Sequence, residues 1–152
     1  MIISETQYKL IVETMPIICV DLLIINDGKF LLLKRDNEPA RGEFWFPGGR
    51  ILKLEKIKTA ALRKAKEEVN LKCIFQNIVT IEETIFKKNS EMHSDKHTIN
   101  IVCKLLVDDI TNIKLDDLHS SFLWTSFHEI SDLNLHPALL NPLKIELSNL
   151  NS

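Results

Sequence analysis

The stretch GGRILKLEKIKTAALRKAKEEVNL, Gly48 to Leu71, joins a glycine turn to a helical segment that carries the adjacent carboxylates Glu67 and Glu68. Its pattern predicts a helix from about Glu55 to Val69. At about 100° per residue, Ile57, Ala61, Ala65 and Val69 fall on one stripe, and Glu68 projects within the same arc. A carboxylate there points inward, where an unpaired charge is costly, so it calls for a cation or several donors. Mg²⁺ answers that need, since hard cations take carboxylate and carbonyl oxygens. Gly48 and Gly49 let the backbone turn and offer carbonyl oxygens, while the small Ala61 and Ala65 let the turn lie close to the helix. On an isolated helix Glu67 and Glu68 would read as solvated or paired with Arg63 and Lys64. Beside the glycine turn, Glu55 and Arg63, the stronger reading is a Mg²⁺ site facing a diphosphate.

Upstream, Ser4 and Gln7 make a capping box, and Tyr8, Ile11, Val12 and Met15 follow at helical spacing up to Pro16. Ile17 to Ile25 and Phe30 to Leu33 read as a hairpin, turned by Asn26-Asp27-Gly28-Lys29. Arg35 to Glu43 is polar and contains Pro39 and Gly42, so a surface loop is expected to deliver Phe44-Trp45-Phe46-Pro47 to the glycine turn. Downstream, Ile74 to Ile85 and Thr98 to Val107 read as long strands separated by a polar loop, Lys87 to Lys96, placed as a lid. Phe122-Leu123-Trp124 reads as a last short strand, Ser126 with Glu129 as the start of a short helix, and Pro137 as the start of the final one. This mixed order argues for an α+β fold rather than a doubly wound one.

The chain has 152 residues, 45% hydrophobic and 26% charged, the balance of a single domain over 1–152. A formal net charge of -2 disfavours nucleic acid and anionic membrane surfaces as partners. Cys19, Cys73 and Cys103 sit in apolar runs without a paired framework, the pattern of reduced core thiols in a cytoplasm. No apolar run is long enough to span a bilayer, and the N-terminus lacks the pattern of an export signal.

Gly49, Glu55 after five residues, Arg63 after seven more, then Ala65, Glu67, Glu68 and Leu71 resemble the Nudix box, G-x5-E-x7-R-E-U-x-E-E-x-G-U. Two positions depart from it. Asn70 replaces the closing Gly, a mild change because Asn tolerates left-handed backbone. Lys64 stands where the box has its first helical Glu, which moves local charge by two units and makes a cluster of two or three ions hard to hold. The GDP-mannose mannosyl hydrolase branch also lacks that Glu, and the chain is similar to it at Thr14–Asp21, Phe30–Arg35, Pro39–Gly42, Trp45–Arg50, His119 and Trp124.

That resemblance implies a Nudix-type α/β/α sandwich with a mixed sheet, a homodimer, and hydrolysis of a nucleotide-sugar substrate at the anomeric carbon, giving a nucleoside diphosphate and a free sugar. By the same resemblance Gly49 and Glu68, with Glu67 beside them, are the candidate ligands for Mg²⁺, or for Mn²⁺ in its place. Arg35, Arg50 and Arg63 lie on the diphosphate side, Asp21 near the sugar, and His97 at the site's edge. His119 matches the general base, which takes a proton from the attacking water. Leu118 stands where the branch has a metal-binding Gln, leaving Asp117 or water to substitute, and Thr98 stands where it has a Tyr. Two rival readings keep the fold. One is a pyrophosphohydrolase that breaks the P–O–P bond, and the other is a nucleotide-sugar binding domain with little turnover. His93 reads as a solvated loop residue, Trp45 and Phe46 as core, and Tyr8 as packing.

Overall fold

The computed structural model describes residues 3–152. Helix α1, Glu5–Thr14, is opened by the Ser4–Gln7 capping box, and buries none of its side chains. Strand β1, Ile17–Asn26, and strand β2, Lys29–Arg35, meet at a turn where Asp27 and Gly28 take φ of 48° and 73°. They pair only at the turn end, Ile25 with Phe30 and Asn26 with Lys29. Further along β1, that edge is taken by β4, Gly48–Arg50, opposite Cys19 to Asp21.

On its other side β1 runs parallel to β6, Lys96–Leu106, from Ile17 to Ile25, and β6 pairs antiparallel with β5, Ile74–Phe86. The short β3, Phe44–Trp45, and β7, His119–Ser126, both pair with β2. One parallel pair among antiparallel ones makes the seven-stranded sheet mixed. Leu22, Leu23 and Ile24 are all fully buried. A strand buried on successive residues must be covered on both faces, which explains why β1 reads as a continuous apolar run.

Helix α2, Ile57–Val69, covers one face, where Val20, Leu22 and Ile24 pack with Ala61, Ala65 and Val69. Helix α3, Pro137–Leu150, covers the other, where Leu23, Phe30 and Val102 pack with Leu139 and Leu143. The result is an α/β/α sandwich of the α+β class. Helix α2 begins two residues later than its pattern predicts, because Glu55 turns back to accept from the Leu52 amide, 2.9 Å away. It ends as expected, with Asn70 in the left-handed region at φ 56° and ψ 34°.

Strand β7 starts at His119, three residues before the predicted Phe122, since pairing with β2 carries Ser121 and His119 into the sheet across a bulge at Lys34/Arg35. The segment opened by Ser126 and Glu129 is a 3-10 turn, Phe127–Asp132. In the predicted lid, Glu91 pairs with Arg41 at 2.7 Å and His93 lies 3.5 Å from Glu13, both half-exposed contacts. Burial pushes the Cys19 and Cys103 thiols up to about 12 and Cys73 up to about 11, so all three stay protonated at neutral pH. Among the described residues no helix is long and apolar enough to cross a membrane.

Candidate active site

A cavity of about 570 Å³ opens where β4, the end of β2 and the C-terminal half of α2 converge. Its floor is set by Gly48. A side chain there would meet the Val20 carbonyl oxygen at 2.2 Å, so only glycine lets β4 approach β1 this closely. That approach aims the Gly48 amide at Glu68, whose Oε2 accepts from it at 2.9 Å. Glu68 is only 5% exposed, as its place on the apolar stripe requires. Burial raises its carboxyl above the usual range, against the opposing pull of the Lys64 ammonium and the Gly48 amide. Lys64 Nζ lies 3.1 Å from Glu68 Oε1 and 3.2 Å from Glu67 Oε2.

The opposite wall comes from a loop that sequence periodicity does not mark. The Lys114 and Asp116 amides donate to the Val69 and Glu68 carbonyls, each at 3.1 Å, and Asn70 Nδ2 donates to the Asn112 carbonyl at 2.9 Å. These bonds splice the segment before β7 onto the end of α2. As a result ligand atoms of Glu68, Asp116 and His119 lie within 4.8 Å of one another. Asp116 Oδ1 accepts from the Leu118 amide at 3.1 Å and lies 2.6 Å from His119 Nδ1. A carboxylate can only accept, so Nδ1 carries the proton and Nε2 is the basic nitrogen. His119 is 9% exposed and paired in register with Arg35.

Arg35 lines the cavity, its Nε donating to the Pro39 carbonyl at 2.7 Å. Burial lowers its pKa, opposed by Glu68 and Asp21. Arg50 stacks on Tyr8, 4.8 Å from the ring centroid, so Tyr8 supports a guanidinium at the rim. Asp21 sits at the inner end, where Asn100 Nδ2 donates to its Oδ2 at 3.1 Å and Thr98 Oγ1 donates to Asn100 Oδ1 at 2.6 Å. Burial pushes the Asp21 carboxyl up to about 7; the Glu68 charge adds to this, while the Asn100 bond and Arg35 oppose it. Asn37 Oδ1, also in the wall, is buried with no hydrogen-bond partner among the described residues.

The structure thus gathers Asp21, Arg35, Gly49, Arg50, Glu68 and His119 around one cavity, and leaves four expected residues outside it. Arg63 is committed elsewhere: it bonds Glu55 at 2.6 and 2.8 Å, Glu67 at 3.1 Å and the Arg50 carbonyl at 3.1 Å. These bonds hold the Glu55 carboxyl down to about 2. Arg63 therefore braces the glycine turn from behind in place of the expected diphosphate contact. Glu67 is exposed and held by Arg63 and Lys64, and it is not among the ligand atoms clustered with Glu68. His97 bonds Glu83 across the β5–β6 pair at 2.7 Å, on the face of the strands opposite to Lys96 and Thr98, which line the cavity. Asp117, expected to stand in for the missing Gln, is exposed, and its neighbour Asp116 occupies the site. The Asp116-x-x-His119 spacing was the available signal for it.

The donor set suits a hard divalent ion, because Glu68 and Asp116 supply carboxylate oxygens that lie with a His119 nitrogen within 4.8 Å of one another. The family model for the NUDIX domain matches residues 15–144. The chain is 34% identical over 119 residues to the low-salt glycan biosynthesis protein Agl8 of Haloferax volcanii, which covers 78% of this chain and 76% of that protein. It is 40% identical over 65 residues to an ADP-ribose pyrophosphatase of Methanocaldococcus jannaschii, covering 43% of this chain and 37% of that one. The crystal structure of a MutT protein from Methanosarcina mazei superposes with a TM-score of 0.73 at 26% identity, over 88% of this chain and 96% of that one. The NUDIX domain of Shewanella oneidensis NrtR, solved with ADP ribose, superposes with a TM-score of 0.69 at 18% identity, over 97% and 99%. Sequence, fold and the box on the turn and α2 agree: this chain belongs to the NUDIX domain family, as a Nudix hydrolase.

Proposed function

We propose that this Nudix hydrolase acts on a nucleoside diphosphate sugar of the GDP-mannose type, displacing the diphosphate at the anomeric carbon. The observation that carries this reading is the pair of buried His119 and half-buried Asp116, 2.6 Å apart, facing the Glu68 end of the cavity. A general base held in one tautomer is what attack by water on carbon requires. His119 Nε2 accepts the water proton as the water oxygen bonds to the anomeric carbon, and Asp116 stabilises the resulting imidazolium. The C–O bond breaks with its electron pair going to the diphosphate oxygen, so the leaving group needs neutralising charge rather than a proton. Arg35 and Arg50 supply part of it. Glu68, Asp116 and the Gly49 carbonyl would hold one Mg²⁺ or Mn²⁺, which supplies further positive charge to the diphosphate. The Asp21–Asn100–Thr98 chain offers hydrogen-bonding groups to sugar hydroxyls.

The glycan-biosynthesis relative supports a sugar substrate, and the ADP-ribose pyrophosphatase relative supports cleavage within the diphosphate of a nucleotide derivative. Hydrolysis in ¹⁸O-water separates the two. Label in the released sugar is expected, and label in a phosphate product overturns carbon attack. We place the protein in the cytoplasm, in keeping with its reduced thiols, and assign it as a homodimer. In support of assembly, Ile18, Ile81 and Ile85 stand 53%, 64% and 55% exposed on β1 and β5. A monomer mass by light scattering overturns that assignment.

A further inference from the structure

The geometry points to Lys64 as a resident cation of the site, whose ammonium binds the diphosphate group of a nucleotide ligand even without a divalent ion. This rests on the nucleotide-derivative reading above. Lys64 is placed where the resembling box has a carboxylate, yet it does not turn away to solvent: its side chain is 17% exposed and lines the cavity with Arg35 and Arg50. The turn makes room for it, because a side chain at Gly49 would lie 2.7 Å from Lys64 Cε and 3.1 Å from Nζ. Two of its contacts, to Glu68 and Glu67, hold the ammonium in place.

An ammonium has three donors, so one remains for an anion in the cavity. The consequence is a division of labour. A carboxylate at this position would add a negative charge and demand a further ion, whereas the ammonium neutralises Glu68 and adds positive charge toward the diphosphate.

Calorimetric titration with ADP and with GDP, separately, in excess EDTA and again with Mg²⁺, tests this. The wild-type protein is expected to bind in both conditions. Lys64→Met is expected to weaken binding in EDTA by roughly 10- to 100-fold, the worth of a hydrogen bond to a charged group, and Lys64→Arg to retain most of it. Lys64→Met paired with Glu68→Gln leaves no unpaired charge to disturb folding, and is expected to stay weak in EDTA. If that double variant binds as the wild type does, the ammonium merely neutralises Glu68 and the proposal is overturned. An EDTA affinity unchanged by Lys64→Met overturns it equally, as does wild-type binding that appears only with Mg²⁺. Binding of neither nucleotide in either condition overturns the nucleotide reading, and Lys64 with it.

Discussion

Replacing Asp21 by Asn should make stability less dependent on pH, by an amount that follows from the cavity's inner end. Asp21 is raised from 3.8 to about 7, chiefly by burial. A group whose folded pKa lies above its unfolded value contributes stability that is complete below the unfolded pKa and is lost as pH rises through the folded one. The window therefore runs from about pH 4 to about pH 7, and the full shift is worth on the order of 4 kcal/mol. Between pH 5 and pH 7 the Asp21 share of the loss is about 2 kcal/mol by the same linkage. Asn is isosteric, and its amide oxygen still accepts from Asn100 Nδ2, so the variant removes the titration while keeping the contact. Urea unfolding of wild type and Asp21→Asn, in EDTA at several pH values, reads the difference, and titrations not coupled to Asp21 cancel between the two proteins. The variant should gain on the wild type by about 2 kcal/mol over that interval. A difference that stays flat to within about 0.5 kcal/mol would refute the claim that burial dominates at Asp21.

Other substitutions probe other parts of the site. His119→Gln should lower kcat by roughly 10²- to 10⁴-fold with the fold intact, as a lost general base does, and an unchanged kcat removes His119 from the mechanism. Arg63→Met leaves Glu55, only 10% exposed, without its partner, and should cost about 2 kcal/mol in thermal or urea unfolding. That lies below the roughly 3–5 kcal/mol of a fully buried pair because Arg63 is 25% exposed, and an undiminished stability would refute the bracing role. Gly48→Ala forces a methyl to 2.2 Å from the Val20 carbonyl oxygen and should abolish substrate binding and lower the Tm. Wild-type activity in that variant would mean that the β4–β1 approach is dispensable.

The parts of this fold that were legible in the sequence are those written in local period. The apolar stripe of α2 placed Glu68 inward, the Asp27-Gly28 pair marked the hairpin, and Asn70 fitted the left-handed end of the helix. Glu67 and Arg63 were misplaced for a reason that spacing does not carry. Adjacent helical positions diverge by about 100°, and the choice between cavity and outer face depends on Glu55 folding back to grip Arg63. Asp116 was missed because it belongs to neither a helix nor a strand. It is carried to Glu68 by backbone bonds from the Lys114 and Asp116 amides to the end of α2, and such bonds leave no mark on side-chain identity. His97 was drawn to the site by the resemblance alone, whereas its register opposite Ile85 and its bond to Glu83 make it a cross-strand partner.

Two of the departures, Lys64 in the box and Leu118 outside it, make sense together once the charges around Glu68 are counted. Leu118 coordinates nothing, and its backbone amide instead fixes Asp116, so the loop gains a carboxylate where it lost an amide ligand. That adds one negative charge on the loop side of Glu68, while Lys64 in place of Glu adds two units of positive charge on the helix side. A site with Glu at 64 and Asp at 116 would cluster three carboxylates, Glu68 included, and need several divalent ions to be stable. With Lys64 present, one divalent ion would balance Glu68 and Asp116, and on the proposed reading the arginines are left to the diphosphate. On the reading we propose, the chemistry suited to that balance is departure of an intact diphosphate, which needs charge spread along its oxygens rather than a metal cluster focused on one phosphorus.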